Sequence, residues 1–401
     1  MRPARPPWWQ RVPGWVPALL VYGATRVVST AFTLAAGPSQ QANLWAPQDD
    51  PPYGDFVSMW DGDRYRVIAE DGYPHPLPVD EAGEPTQSEW AFFPAYPALV
   101  RVVQAVLGLV LPGDVGFRTV APTVSLLCGF AAAVVVFHLF RTRATTGEAL
   151  LGVALVGSFP TAAVLQYSYS EALCLLALAA SLLLLTTRRY VAVLPAVALL
   201  GLTRPVGLAF GLVVLVHLVV RWRHRHDDPF PLRQALQVVL VGAVTGAAAL
   251  AMPVATGLAA GRPDGYTAVQ VAWRVQDHME WFTPWAWMAD YLFGDDGPLF
   301  LALLVVAVVG VLASPSARAL GLEMWTWCAA YALYLAAVLD PFTSLPRFLL
   351  LFFPLALALV LTLTGWRRYV LVAAWLALSL WAQWEWVRVL WVFRPPSDYP
   401  P

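Results

Sequence analysis

Met59–Tyr73 reads MWDGDRYRVIAEDGY, a stretch in which Asp61, Asp63, Glu70 and Asp71 are interleaved with Trp60, Tyr65 and Tyr73. On both sides of it the chain turns apolar. Runs long enough to cross roughly 30 Å of hydrocarbon recur from Trp15 to Leu390. The 401 residues are 59% hydrophobic and 13% charged, with mean hydropathy +0.60, whereas soluble domains carry about a quarter charged residues. The chain therefore reads as an all-α polytopic membrane protein. Its single domain and its full length, residues 1–401, nearly coincide.

The arginines orient it. MRPARPPWWQR opens the chain, and the run that follows is interrupted by Arg26 and lacks a small-residue cleavage site, so it is expected to stay as the first span. Short arginine-bearing segments mark the cytoplasmic side: that opening, Arg141 with Arg143, Arg188 with Arg189, RWRHRHDDPFPLR from Arg221, Arg318, and Arg367 with Arg368. The long connections Gly37–Trp90 and Ala259–Gly297 then share the extracytoplasmic face, and 17 of the 26 acids lie in them. This phasing gives about 11 spans. It requires that Ala91–Leu111 enter the membrane without fully crossing, or that a later pair around Tyr190–Val220 be divided differently. In the second loop, VAWRVQDHMEWFTPWAWMADYLF carries Trp273, Trp281, Trp285 and Trp287 and reads as an interfacial helix beside a lipid-accessible cavity.

A wet loop needs acids, but it does not need Trp60, Tyr65, Tyr73, Trp90, Phe92 and Phe93 among them. The density of rings suggests a loop folded back on the bilayer, with some carboxylates partly desolvated. The plainer alternative, rings as interfacial anchors and acids for solubility, stays open. FPTAAVLQYSYSEAL, Phe159–Leu173, reads as a short turn at the membrane edge bearing Tyr167, Tyr169, Ser170 and Glu171. Ionisable residues at such depth are functional candidates, though a snorkelling turn would look the same. LLGLTRPVGLAF sets Arg204 between apolar segments, with Pro205 and Gly207 breaking the helix so that a guanidinium and free N–H groups could face an anion. LDPFTSLPRFLLLFFPLAL offers Asp340 and Arg347, either as site residues or as a helix-terminal ion pair. All of these fall on one face. Acids there with Arg204 and Arg347 suit a reaction in which a carboxylate deprotonates an alcohol while a phosphate leaves against arginine.

Other chemistries lack their parts. There is no GxxxxGK[ST], HExxH or GxSxG. Cys128, Cys174 and Cys328 lie in apolar runs, which disfavours a disulfide framework or a zinc site. Of the histidines, only His75 and His278 fall on the acidic face. A net charge of −1, with arginines already accounted for by topology, gives no support to nucleic-acid binding.

WDGDRYRVIAEDGY followed by EWAFFPAYP resembles the first lumenal loop of the GPI mannosyltransferase 2 (PIG-V) family, which runs WD, an aromatic, IA, GY, then E and AFFP with YP. FPTAAVLQYSYSEAL is similar to that family's YSE turn and LTRPVGLAF to its Arg and Gly segment, in family order from about Trp60 to Phe353. The resemblance implies a GT-C fold. It also implies inverting transfer of mannose from a polyprenyl-phosphate-mannose donor to an extracytoplasmic, lipid-linked or other glycan acceptor. Carried over by position, Asp61 is the general base and Glu89 the second candidate; Arg204 and Arg347 hold the donor phosphate; Glu171 and Tyr167 shape the sugar pocket. Trp60, Asp63, Tyr65 and Trp90 complete the substrate-binding set. RPVG departs from the family, which usually has a polar residue before the glycine, so Pro205 and Val206 leave the sugar or acceptor contacts there open. Asp61-Gly62-Asp63 has the DxD spacing of metal-dependent nucleotide-sugar enzymes, but a lipid-phosphate donor has no diphosphate to bridge, so no cofactor is expected. All 25 basic residues are arginine, a bias typical of GC-rich bacterial genomes, which points to a bacterial cell membrane. Two other readings remain: a transporter of a lipid-linked sugar, against which stands the lack of an internal repeat, and a noncatalytic subunit of a glycan assembly complex.

Overall fold

Inside hydrocarbon a helix satisfies its own backbone, so apolar runs are helical until proline, glycine or a polar turn stops them. The computed structural model describes residues 12–395 apart from 112, 114 and 275–279, together with Pro401. The opening MRPARPPWWQR and His278 lie outside the described residues. Helices make up 73% of the structure, and no strand is present among the described residues.

In chain order the helices are α1 (Trp15–Ala36), α2 (Tyr53–Phe56), α3 (Asp61–Glu70), α4 (Ala95–Gly108), α5 (Phe117–Arg141) and α6 (Thr146–Gly157). There follow α7 (Glu171–Thr186), α8 (Tyr190–Thr203), α9 (Gly207–Arg223), α10 (Leu232–Ala260), α11 (Gly265–Val271) and α12 (Thr283–Phe293). The last are α13 (Gly297–Ala313), α14 (Pro315–Arg318), α15 (Leu322–Val338), α16 (Leu345–Leu349), α17 (Pro354–Thr362) and α18 (Gly365–Glu385). Five stretches are long and apolar enough to cross a membrane: Trp15–Ser39, Phe117–Arg141, Leu232–Ala260, Thr283–Ala313 and Gly365–Trp391. Leu345–Phe352 and Pro354–Thr362, bent by 65° at their junction, form a sixth if taken as one span. A count of about 11 is reached only by adding shorter helices.

Those short helices position the site. α6 has 12 residues and α8 has 14, about 18 and 21 Å at 1.5 Å per residue, well below the ~30 Å of hydrocarbon. The turns joining α6 to α7, α8 to α9 and α15 to α16 bring Glu171, Arg204 and Arg347 together at one place. α2 and α3 roof it: Ser168 N–H donates to Val57 O at 3.0 Å, and the Ser58 and Ser168 hydroxyls are 2.6 Å apart. FPTAAVLQYSYSEAL forms the junction between α6 and α7. Ala162–Glu171 is buried throughout, because the first loop folds over it.

α4 does not cross the bundle. It runs antiparallel to the start of α5, with Tyr96 Oη donating to Ala121 O at 2.9 Å and Gln104 Nε2 to Val115 O at 3.1 Å. That end of α5 is tied to the first loop by Arg118 and Asp55 at 2.7 Å, and the entry to α4 is tied there by Tyr73 Oη on Phe92 O at 2.9 Å. Both ends of α4 therefore lie on the loop side. Thr283–Phe293, expected to lie as an interfacial helix, forms α12, which ends at Gly294 (φ 55°, ψ −130°); a 3₁₀ turn then brings the start of α13 back against it, with a Cβ on Gly297 falling 2.9 Å from the Asp290 nitrogen and Phe293 stacked on Phe300 at 4.3 Å. α11 and its flanks pack on Trp90 and Phe93.

Small residues let α8 and α10 approach closely, as helix pairs in membranes require. A Cβ built on Gly201 falls 2.7 Å from Ala248 Cβ and 2.9 Å from the Ala248 carbonyl carbon. Gly201→Ala should force the helices apart at a cost of about 1–3 kcal/mol, the usual range for overpacking. The check is a lower melting temperature in detergent, whereas Gly211→Ala, where the Cβ meets nothing within 4 Å, should melt like the parent.

Candidate active site

The site starts from a strained junction. Trp60 has φ 60° and ψ −125°, a conformation side-chain-bearing residues rarely adopt. It is held there by its indole, whose Nε1 donates to Trp391 O at 2.9 Å while the ring lies 4.5 Å from Trp45 and 5.6 Å from Phe393. The junction turns the chain into α3 so that Asp61 is the first helical residue, with its backbone N–H donating to Tyr169 Oη at 3.1 Å.

Three further segments deliver charge to the same place. Glu171 is the first residue of α7, fully buried. Arg204 caps the C-terminal end of α8, where Pro205 stops the helix. Arg347 lies in α16 and is 3% exposed. Both carboxylates stand at helix N-termini and Arg204 at a C-terminus, the placements that helix dipoles favour. Arg347 Nη1 donates to Asp61 Oδ2 at 3.0 Å and to Glu171 Oε1 at 3.1 Å, and Arg204 Nη2 donates to the same Glu171 oxygen at 2.8 Å. The result is a continuous chain, Asp61, Arg347, Glu171, Arg204. Arg347 also lies over the Tyr169 ring at 5.0 Å, and Arg204 over Phe348 at 5.1 Å. Two cations and two anions balance, which is how a buried charge cluster is held.

The ends of the chain differ. Asp61 keeps 17% of its side chain exposed, and its Oδ1 accepts no hydrogen bond from the described residues. It can take a proton from a bound hydroxyl while Arg347 holds the other oxygen. At the buried end Glu171 Oε2, Arg204 Nη1 and Arg347 Nε have no partner. Tyr65, one turn into α3, donates to Ser170 Oγ at 2.9 Å, and burial raises its phenol well above the ordinary range, so it stays a donor.

The other candidates take separate places. Glu89 accepts from Arg64 Nη1 at 2.9 Å, and Arg64 stacks over Trp273 at 5.2 Å, so this acid borders the site through α3. Asp63 is bound to Arg66 at 2.8 Å, a pairing within α3 that turns it away from Asp61. Among the described residues no three His, Cys, Asp or Glu side chains converge as a metal site would require. Trp90 donates to Pro74 O at 3.0 Å and lies against Tyr73 and His75, within the loop. The Tyr167 hydroxyl meets Thr33 Oγ1 at 2.8 Å, behind the charged chain, with its ring 4.4 Å from Trp391. Asp340 does not pair with Arg347. It is 3.4 Å from Arg274 of the second loop, and burial holds its carboxyl above the usual range against the pull of that arginine.

Sequence reasoning missed two contributors. Trp391, in a π-helical turn at Trp386–Trp391, supports both Trp60 and Tyr169; nothing in WVRVLW distinguishes it from a span end. Arg26, seen only as a break in the first run, is 4% exposed and donates to two carbonyls behind the site.

No family model and no curated protein sequence matches the chain, so the resemblance to the PIG-V family rests on the motifs alone. Among solved structures it is similar to the archaeal oligosaccharyltransferase AglB from Archaeoglobus fulgidus in complex with an inhibitory peptide and a dolichol-phosphate, with 12% identity, 98% of this chain and 57% of that one covered, and a TM-score of 0.49. It is also similar to the apo form of the A. fulgidus oligosaccharyltransferase, with 14% identity, 94% and 57% covered, and a TM-score of 0.45. The chain spans a little over half the length of these structures.

Proposed function

We propose that the protein is an inverting membrane glycosyltransferase of the GT-C type, which moves mannose from a polyprenyl-phosphate-mannose donor to an extracytoplasmic, lipid-linked acceptor. The observation that carries this reading is the chain Asp61, Arg347, Glu171, Arg204, drawn from four separate segments and closed at one end. A structural ion pair needs two residues; this cluster joins four and leaves one carboxylate oxygen open. The motif resemblance of the first loop supplies the sugar and the donor class.

In the proposed reaction the acceptor hydroxyl loses its proton to Asp61 Oδ1 as its oxygen attacks the anomeric carbon. The bond from that carbon to the phosphate oxygen breaks, and polyprenyl phosphate departs with the electron pair. Arg347, bound to Asp61, offsets the negative charge that develops on the phosphate. Glu171 and Arg204 keep Arg347 fixed, and Trp60, Tyr65 and Tyr169 wall the site against water. No metal takes part in these steps.

A single displacement predicts a product whose anomeric configuration is opposite to that of the donor. The check is NMR of the purified product made from donor labelled at the anomeric carbon. A retained configuration would exclude the single inverting displacement.

A further inference from the structure

One face of α1 is polar. Thr25, Arg26, Ser29 and Thr33 are buried on it, with Thr30 alongside. Besides bonds within α1 itself, they reach the end of α6, the stretch between α6 and α7, and Gln383 of α18. Arg26 Nη2 donates to Gly157 O and Nη1 to Ala162 O, both at 2.5 Å. Ser29 donates to Gln383 Oε1 at 2.8 Å, and Gln383 Nε2 donates to Phe159 O at 2.9 Å. Thr30 Oγ1 accepts from Gln166 Nε2 at 2.9 Å, and Thr33 meets Tyr167 at 2.8 Å.

The stretch needs these partners. Buried backbone that is neither helix nor sheet leaves carbonyls unmet, and at membrane depth no water is at hand to take them. A buried arginine is a costly way to supply donors, since no carboxylate is paired with Arg26. What the guanidinium adds is a planar fork with fixed spacing. It spans the break around Pro160, one arm on the last carbonyl of α6 and the other on the 3₁₀ turn Ala162–Gln166. The clamped stretch leads on one side to Tyr169 and Glu171. On the other, Thr161 Oγ1 donates to Pro346 O at 3.2 Å, the residue before Arg347.

We infer that Arg26, with the polar face of α1 and Gln383, is the positioning device of the site: it sets the path of residues 157–167 and thereby the separation of Glu171 from Arg347. Arg26 touches no reacting group. This role rests on the glycosyltransferase reading only for its effect on turnover.

The test is Arg26→Lys in the full-length protein in nanodiscs, which keeps the charge and removes the fork. Hydrogen–deuterium exchange of residues 158–171 should quicken at least about tenfold, with α10 and α13 unchanged. kcat for sugar transfer should fall about a hundredfold, the order expected from ångström-scale misplacement, with KM for the donor little altered. Unchanged exchange in 158–171 overturns the proposal. So does faster exchange with unchanged kcat, which would make Arg26 a fold residue only. If Arg26→Lys does not fold, Gln383→Met, which removes the Phe159 bond at similar volume, takes its place with the same criteria. If the parent protein transfers no sugar, the functional reading fails separately, and unchanged exchange at Tyr169–Glu171 still overturns the claim that Arg26 sets the path of residues 157–167.

Discussion

Asp61→Asn is expected to yield a folded protein that transfers sugar at least about a hundredfold more slowly than the parent, the lower end of what a positioned general base supplies. Asparagine keeps the volume and an oxygen that can still accept from Arg347, so the chain of Arg347, Glu171 and Arg204 stays largely in place. What is lost is the proton acceptor at the one open position. The loss should therefore fall on kcat, with the KM for donor changed little. Glu89→Gln separates the two candidate acids. Its carboxylate is committed to Arg64, so its removal should cost far less turnover than that of Asp61. The reverse order of losses would move the base to Glu89.

The largest effect on stability is expected at Glu171. Its Oε1 serves both Arg347 and Arg204 and it is fully buried, so Glu171→Leu strands two buried guanidinium groups at once. Removing one partner of a buried ion pair typically costs about 3–5 kcal/mol, larger than the overpacking expected at Gly201. Unfolding in nanodiscs should report a loss of this size, with Glu171→Gln milder because the amide oxygen still accepts. Adding Arg204→Leu to Glu171→Leu should recover part of it, since one stranded charge is then gone. Simple additivity of the two losses would mean that they do not act as a pair.

All four members of the charged chain are legible in the sequence one by one: Glu171, Arg204 and Arg347 because an ionisable residue bordering runs of Leu, Ala and Val is conspicuous, Asp61 because of the aromatic residues and the motif around it. Their pairing is not. Asp61 and Arg347 are 286 residues apart, and their meeting depends on how distant turns pack together, which hydropathy does not report. Proximity in sequence suggests instead that Asp340 and Arg347 pair, whereas Asp340 lies with Arg274. The YSE turn reads as an exposed turn because it is polar; it is buried because the first loop covers it. The acids of the first loop divide in a way composition hides: Asp63, two residues from Asp61, falls on another side of α3 and bonds Arg66. Arg26 was visible only as a defect in a span, since its carbonyl partners lie more than a hundred residues away.

The central claim is that this buried chain of charges serves transfer of a lipid-linked sugar. The most direct measurement combines the purified parent and Asp61→Asn, each in nanodiscs, with radiolabelled polyprenyl-phosphate mannose and an extract of the host's lipids and glycans. The account predicts labelled product with the parent alone, while both proteins remain folded with a cooperative melt, and isolation of that product identifies the acceptor. No product from the parent, or equal product from both, would contradict the donor or the base, and would favour a transporter or a noncatalytic subunit in its place.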